Sequence, residues 1–83
     1  MPLNQLEQAK YKTIGTKQTL KAIKTGKARV VYLAEDAEAH VTKPLLQLCE
    51  QQGLEIIKIS SMVELGKACG IKVKAASAAI VDE

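Results

Sequence analysis

The sequence predicts an α/β sandwich with a mostly parallel or mixed sheet. Three observations carry that expectation. Residues 30–34, Val-Val-Tyr-Leu-Ala, form a continuous apolar, β-branched run of the kind buried on both faces of a sheet. Helix-like segments stop at Gly26, Gly53 and Gly70, residues suited to helix C-termini. Strand-like and helix-like segments then alternate, in the order α-α-β-α-β-α-β. The 83 residues suffice for one small domain spanning residues 1–83. An apolar fraction of 47% allows a packed core. With two tyrosines, no Phe and no Trp, that core must be aliphatic.

Leu3 and Leu6 recur at helical spacing, which predicts a short first helix over 4–9. Residues 11–14 read as an extended link. Thr16 is a good N-cap residue, so the second helix starts there and runs to about Thr25. Leu20 and Ile23 face the core. Lys17, Lys21 and Lys24 form one stripe on the other side, at i, i+4 and i+7. Gln18 lies about 60° round from Lys21.

After the strand at 30–34 comes an acidic turn, Glu35-Asp36-Ala37-Glu38. A helix is expected from near Thr42, with Pro44 in its first turn, ending at Gly53. Residues 54–59 make the next strand. Ser61 and Glu64 have capping-box spacing, so another helix starts there and ends at Gly70. Residues 75–81 make a last strand of small side chains. Ala75, Ala76, Ala78 and Ala79 would let helices approach a central strand closely.

Composition also excludes functions. Cys49 and Cys69 form no C-x-x-C pair, and the single His40 cannot complete a zinc site with them. Buried free thiols in a reducing cytosol are expected, with a disulfide as the competing reading. His40 stands near Glu35, Asp36 and Glu38, which reads either as a metal cluster or as a charged turn ahead of a helix. The Gly15-Thr16-Lys17 triplet lacks the earlier glycine of a phosphate loop, and no nucleophile elbow exists. No catalytic residues and no cofactor are expected. The N-terminal stretch has no apolar signal core, and no run approaches membrane-span length. A soluble, cytoplasmic monomer is the expectation.

Charge distribution points to a partner. Between Gln8 and Ala34 stand seven cations (Lys10, Lys12, Lys17, Lys21, Lys24, Lys27 and Arg29) and no carboxylate. A helix N-terminus already favours anions through unpaired N–H groups and partial positive charge. Gln18 adds an amide able to read a base edge. Nucleic acid fits this pattern. Few aromatics disfavour single-strand stacking, so a distorted RNA duplex with an opened groove is the better target. Lys17 and Gln18 would then reach bases while Lys21, Lys24 and Lys27 face phosphates. The competing reading is an ordinary solvated helix face. A second candidate contact is Ile71, Lys72, Val73, Lys74 and Ala75, where two apolar residues stand beside two cations. It reads either as a cradle for an extruded nucleotide or as a plain helix-to-strand loop.

Several ordered motifs carry a family resemblance. They are residues 15–22 (GTKQTLKA), 26–28 (GKA), 33–37 (LAEDA), 48–49 (LC) and 64–70 (ELGKACG). Over about residues 4–82 the chain resembles the L7Ae ribosomal protein family, and most of all its small bacterial ribosomal-protein-like members. The resemblance implies a three-layer α/β/α sandwich with a small mixed sheet. It implies binding to kink-turns, bent RNA duplexes with a bulge beside tandem sheared G·A pairs. The partner would be ribosomal RNA or another ribonucleoprotein component, with no membrane. By position, the family's base-reading turn falls on Gly15, Thr16, Lys17 and Gln18, with Lys21 behind it. Its second contact loop falls on residues 71–75.

This chain departs from the family's usual Asn-Glu pair at Lys17 and Gln18. A glutamate accepts two charge-assisted bonds from a guanine edge, whereas Gln18 has one acceptor oxygen. The difference is worth about 1–2 kcal/mol. Lys17 offsets part of it through phosphate or guanine O6/N7 contacts. Lys72 stands where an acidic residue is common, which shifts weight onto electrostatics. A second class of function is a protein-interaction module that docks on a ribonucleoprotein through the acidic turn and exposed loop.

Overall fold

The computed structural model describes residues 2–81. Eight elements follow in order: α1 (Pro2–Gln8), β1 (Lys12–Ile14), α2 (Thr16–Lys24), β2 (Ala28–Ala34), α3 (Ala39–Gln52), β3 (Glu55–Ile59), α4 (Met62–Ala68) and β4 (Ser77–Val81). The four strands form one sheet in the order β1-β4-β2-β3. Only β2 and β3 pair parallel, and β4 runs antiparallel to both β1 and β2. The sheet is mixed, as the sequence allows, with antiparallel pairings in the majority.

Residue alternation along β2 builds the layers. Val30, Tyr32 and Ala34 point to one face and pack with Leu6 of α1 and Leu65 and Ala68 of α4. Val31 and Leu33 point to the other, packing with Ala22 and Ile23 of α2 and Leu45 and Cys49 of α3. Both faces are covered, so the run is apolar throughout. The result is the expected three-layer α/β/α sandwich. Ala78 and Ala79 are fully buried in the central strand β4, where small side chains admit both helical layers.

Three local expectations change. The link at 11–14 contains a strand, because Lys12, Thr13 and Ile14 pair with Ile80, Ala79 and Ala78 at the sheet edge. The helix expected from Thr42 begins at Ala39, with Glu38 as N-cap residue. Pro44 therefore lies inside α3. Its missing N–H leaves the His40 carbonyl without its helical donor, in an exposed first turn where water can supply one. Residues 75 and 76 precede β4 rather than belonging to it.

The serine half of the capping box at α4 forms. Ser61 Oγ accepts from the Glu64 amide at 3.1 Å. The Glu64 carboxylate does not close the box back on Ser61 and takes the Ser60 hydroxyl instead, at 2.7 Å. Asp36 Oδ1 accepts from the Met62 amide at 2.8 Å, so the acidic turn also caps α4. Both cysteines are free and buried. Burial pushes both thiols above their ordinary pKa, and nearby Lys12 pulls back partly on Cys69.

Candidate nucleic-acid interface

In the first candidate segment the N-cap of α2 is Gly15, not Thr16. Gly15 occupies the N-cap position with φ 93° and ψ 159°, a backbone region essentially reserved for glycine. Nothing crowds the position where a Cβ would stand, so the requirement is conformational rather than steric. Thr16 is the first helical residue, and its hydroxyl caps nothing. That corrects its expected N-cap role. Instead the Ser77 hydroxyl donates to Thr16 Oγ1 at 3.4 Å.

The turn is anchored from below. The Gly15 amide donates to the Ser77 carbonyl at 2.9 Å, and the Thr19 amide donates to the Gly15 carbonyl at 3.1 Å. The hydroxyls of Thr13 and Thr19 lie 2.9 Å apart, with Thr19 fully buried. These polar pairs hold the start of α2 against β1 and β4. The sequence gives Thr13, Thr19 and Ser77 no motif. Their signal is only that polar residues interrupt otherwise apolar faces.

Above this base the first turn of α2 is open. No side chain caps it and no carboxylate stands in it. Lys17 sits there instead, a cation at the positive end of a helix, disfavoured by about 0.3–1 kcal/mol. Such a local conflict is expected where an anion is to be bound. The contrast with α4, which has both a serine cap and Glu64, is direct. Lys17, Gln18, Lys21, Lys24 and Lys27 are all exposed. Gln18, Lys21 and Lys27 border one shallow depression of about 370 Å³, floored by Ala22 and Val81. Lys17 and Lys24 flank a second depression beside it, which shares Lys21. Lys21 is thus the hinge of the cationic face. Two other cations of the basic segment have local duties. Lys12 Nζ donates to the Leu6 carbonyl at 3.3 Å, and Lys10 lies 5.7 Å over the Tyr11 ring.

The second segment follows α4. Cys69 is the C-cap residue, Gly70 turns the chain at φ 79°, and the Ile71 amide returns to the Gly66 carbonyl at 3.1 Å. The Ala75 amide then bonds the Met62 carbonyl at 3.1 Å, pinning the loop along α4. This close approach requires Gly66, since a Cβ there would overlap the Val73 carbonyl. The loop projects Val73, 70% exposed, into solvent, with Lys72 and Lys74 on either side of it also exposed. Ile71 is half-buried against the core, and Ala75 is buried. Of the five expected contact residues, Ala75 therefore anchors the loop rather than presenting a surface.

Ser77 joins the two segments. It lies two residues beyond Ala75, and its carbonyl holds Gly15. The α2 start and the loop stand together at one end of the sheet. His40 and Glu38 form an exposed pair, Nδ1 to Oε2 3.1 Å, and no group of potential metal ligands occurs among the described residues. Among those residues no helix is long and apolar enough to cross a membrane.

Known proteins resemble this chain in sequence and architecture. The model of the ribosomal protein L7Ae/L30e/S12e/Gadd45 family matches residues 3–83. The chain is 50% identical over 70 residues to an RNA-binding protein of Caldanaerobacter subterraneus, covering 84% of this chain and 85% of that one. It is 41% identical over 81 residues to an RNA-binding protein of Bacillus pumilus, covering 98% and 99% respectively. Among solved structures, a 15.5kD RNA binding protein of Giardia lamblia matches with a TM-score of 0.88 at 31% identity, over 99% of this chain and 72% of that one. By sequence and by fold, the chain belongs to the ribosomal protein L7Ae/L30e/S12e/Gadd45 family.

Proposed function

We propose that this chain is a non-catalytic RNA-binding protein that recognises kink-turns. One observation carries the reading. The 2.9 Å bond from the Gly15 amide to the Ser77 carbonyl sets an uncapped, lysine-bearing helix start beside an apolar loop flanked by lysines. In this reading Gly15, Thr16, Lys17 and Gln18 enter the opened groove. The free N–H groups of the turn and the Gln18 amide face base edges. Lys21, Lys24 and Lys27 follow the phosphates. Ile71, Lys72, Val73 and Lys74 form the second contact, with Val73 and the two lysines outermost, and buried Ala75 anchors the loop that carries them. Relatives named as RNA-binding proteins support the RNA partner. Buried free thiols suit a reducing cytoplasm.

With two tyrosines and no Phe or Trp, the chain has few rings for bases to stack on, which favours a preformed RNA shape over single strands. The competing protein-docking reading relies on the acidic turn, where Asp36 is already engaged as a helix cap. A titration against a kink-turn RNA decides. Saturable binding should vanish when the sheared G·A pairs are replaced by Watson–Crick pairs. Equal affinity for the two RNAs would sink the proposal.

A further inference from the structure

Asp36 is an acid at the end of the sheet that carries the α2 start and the loop. The register places it there, because Leu33 lies opposite Ser77 and Asp36 stands in the turn just past β2. Its carboxylate accepts from the Met62 amide at 2.8 Å. Met62 is engaged on its other side as well, since its carbonyl accepts from the Ala75 amide at 3.1 Å. The next residue, Ala76, returns to β2 through its carbonyl, which accepts from the Ala34 amide at 3.0 Å. These bonds close a ring that runs from Ala34 to Asp36, Met62, Ala75, Ala76 and back. The Asp36 carboxylate is the one link in it supplied by a side chain. The Glu35 amide donates to the Ile59 carbonyl at 2.7 Å and so fixes the turn from which Asp36 reaches out.

We infer that Asp36 is a positioning residue for the second RNA contact, acting through Met62 on Lys72, Val73 and Lys74. The inference rests on the RNA-binding reading above. Helix α4 has seven residues, too few to hold its own ends in place. Its first turn therefore depends on outside acceptors. Ser61 Oγ satisfies the Glu64 amide, and Asp36 satisfies the amide of Met62, the first helical residue. The amide that Asp36 holds and the carbonyl that holds Ala75 belong to the same residue. Loss of the carboxylate lets that first turn fray, and the anchor of the loop moves with it. Electrostatics alone gives the opposite expectation. Asp36 is an exposed negative charge near a surface suited to phosphates, so removing it should tighten RNA binding. The two accounts differ in sign.

The test combines kink-turn RNA affinity at fixed salt with amide exchange of the RNA-free protein. Asp36→Ala should weaken binding about three- to tenfold, against the direction of its charge change. Asp36→Asn keeps an acceptor oxygen without the charge and should recover most of that loss. Glu35→Gln removes a neighbouring charge without breaking the ring and should weaken nothing. In a background carrying Lys72→Ala, Val73→Ser and Lys74→Ala, Asp36→Ala should cost almost nothing more. In a Lys21→Ala background it should cost its full factor. Without RNA, Asp36→Ala should lose exchange protection at the Ala75 amide and keep it at the Thr19 amide, whereas general destabilisation lowers both. If Asp36→Ala does not fold, Asp36→Glu replaces it. That variant keeps the charge but shifts the acceptor by a methylene, and it should bind less tightly than Asp36→Asn. An Asp36→Ala protein that binds as well as the parent overturns the inference. So does a loss that is the same with and without the loop residues, or Ala75 protection that does not fall. The exchange measurement needs no RNA, so it stands if the kink-turn reading fails. That failure appears separately, as equal binding to the control with Watson–Crick pairs.

Discussion

The carbonyl of Val73 rests on the backbone of Gly66, at the point where any side chain on residue 66 would begin. A loop of exposed residues is thereby held flush with a helix. Replacing Gly66 by alanine has two opposed effects. Helix propensity improves by about 0.5–1 kcal/mol. Overlap with a backbone atom that cannot rotate away costs about 1–3 kcal/mol. The overlap wins. Gly66→Ala should lower the urea midpoint, and it should weaken RNA binding beyond the stability loss because the loop is displaced. Unchanged affinity in the folded variant would show that the loop's position does not matter to binding.

Gly15 makes a different demand. Its φ of 93° with ψ of 159° strains any residue bearing a Cβ by about 1–3 kcal/mol, even though space is open there. Gly15→Ala should destabilise by that amount in chemical denaturation. The start of α2 should also rotate, with loss of amide-exchange protection at residue 19. Protection that persists would mean the turn tolerates the side chain.

The cationic face should behave as a set of phosphate contacts. Lys17→Ala and Lys21→Ala should each weaken binding. Each should also flatten the plot of log affinity against log salt by about 0.7–0.9. Gln18→Glu should act otherwise, changing discrimination between sheared-pair and control RNA more than the salt slope. A Gln18→Glu variant that differs only in salt slope would place residue 18 on the phosphates rather than on a base.

Burial raises the pKa of Cys49 and Cys69, and of Tyr32 through burial first and the Glu55 charge second. Below the ordinary thiol range both folded and unfolded chains are protonated, and the stabilisation is fully present. As pH rises past the unfolded-state values, the unfolded chain releases protons that the folded chain keeps, so stability falls. Urea midpoints should therefore drop between pH of about 8 and about 10. Alkylation of either thiol in the native protein should track global unfolding. Fast labelling at neutral pH would contradict it.

Thr13 and Thr19 share a 2.9 Å hydroxyl bond under the start of α2. Thr19→Val should cost about 0.5–1.5 kcal/mol, and adding Thr13→Val should recover part of that by removing the orphaned partner. Additive losses in the double variant would show that the two hydroxyls are uncoupled.

Much of this architecture was legible in the residues, for physical reasons. The run at 30–34 had to be sandwiched because neither face offered water a polar side chain. The Ser61 cap and the αL glycine at 53 mark helix ends through local chemistry alone. What escaped depends on distant partners. β1 is three residues long, and only its pairing with β4 makes it a strand. Pro44 suggested a helix start one turn too late, because proline's φ suits either position and exposure of the preceding turn decides. The turn at Gly15 was visible, but its support by Ser77, sixty-two residues away, was not. Nor was the groove between α4 and residues 71–74, since Val63 looks like any helix-surface residue until the loop packs beside it.

β4 carries a consequence for how the molecule comes into being. It is the last strand in sequence, yet it lies between the first strand and the second. Until it inserts, β1 has no neighbour and Gly15 has no carbonyl to bind. Both arms of the surface at that end of the sheet therefore appear together, in the step that closes the chain on itself. Pairing across so many residues is slow to form and all-or-none once formed. A partly folded chain thus has no competent half-site to offer RNA, and capture of RNA reports completed folding.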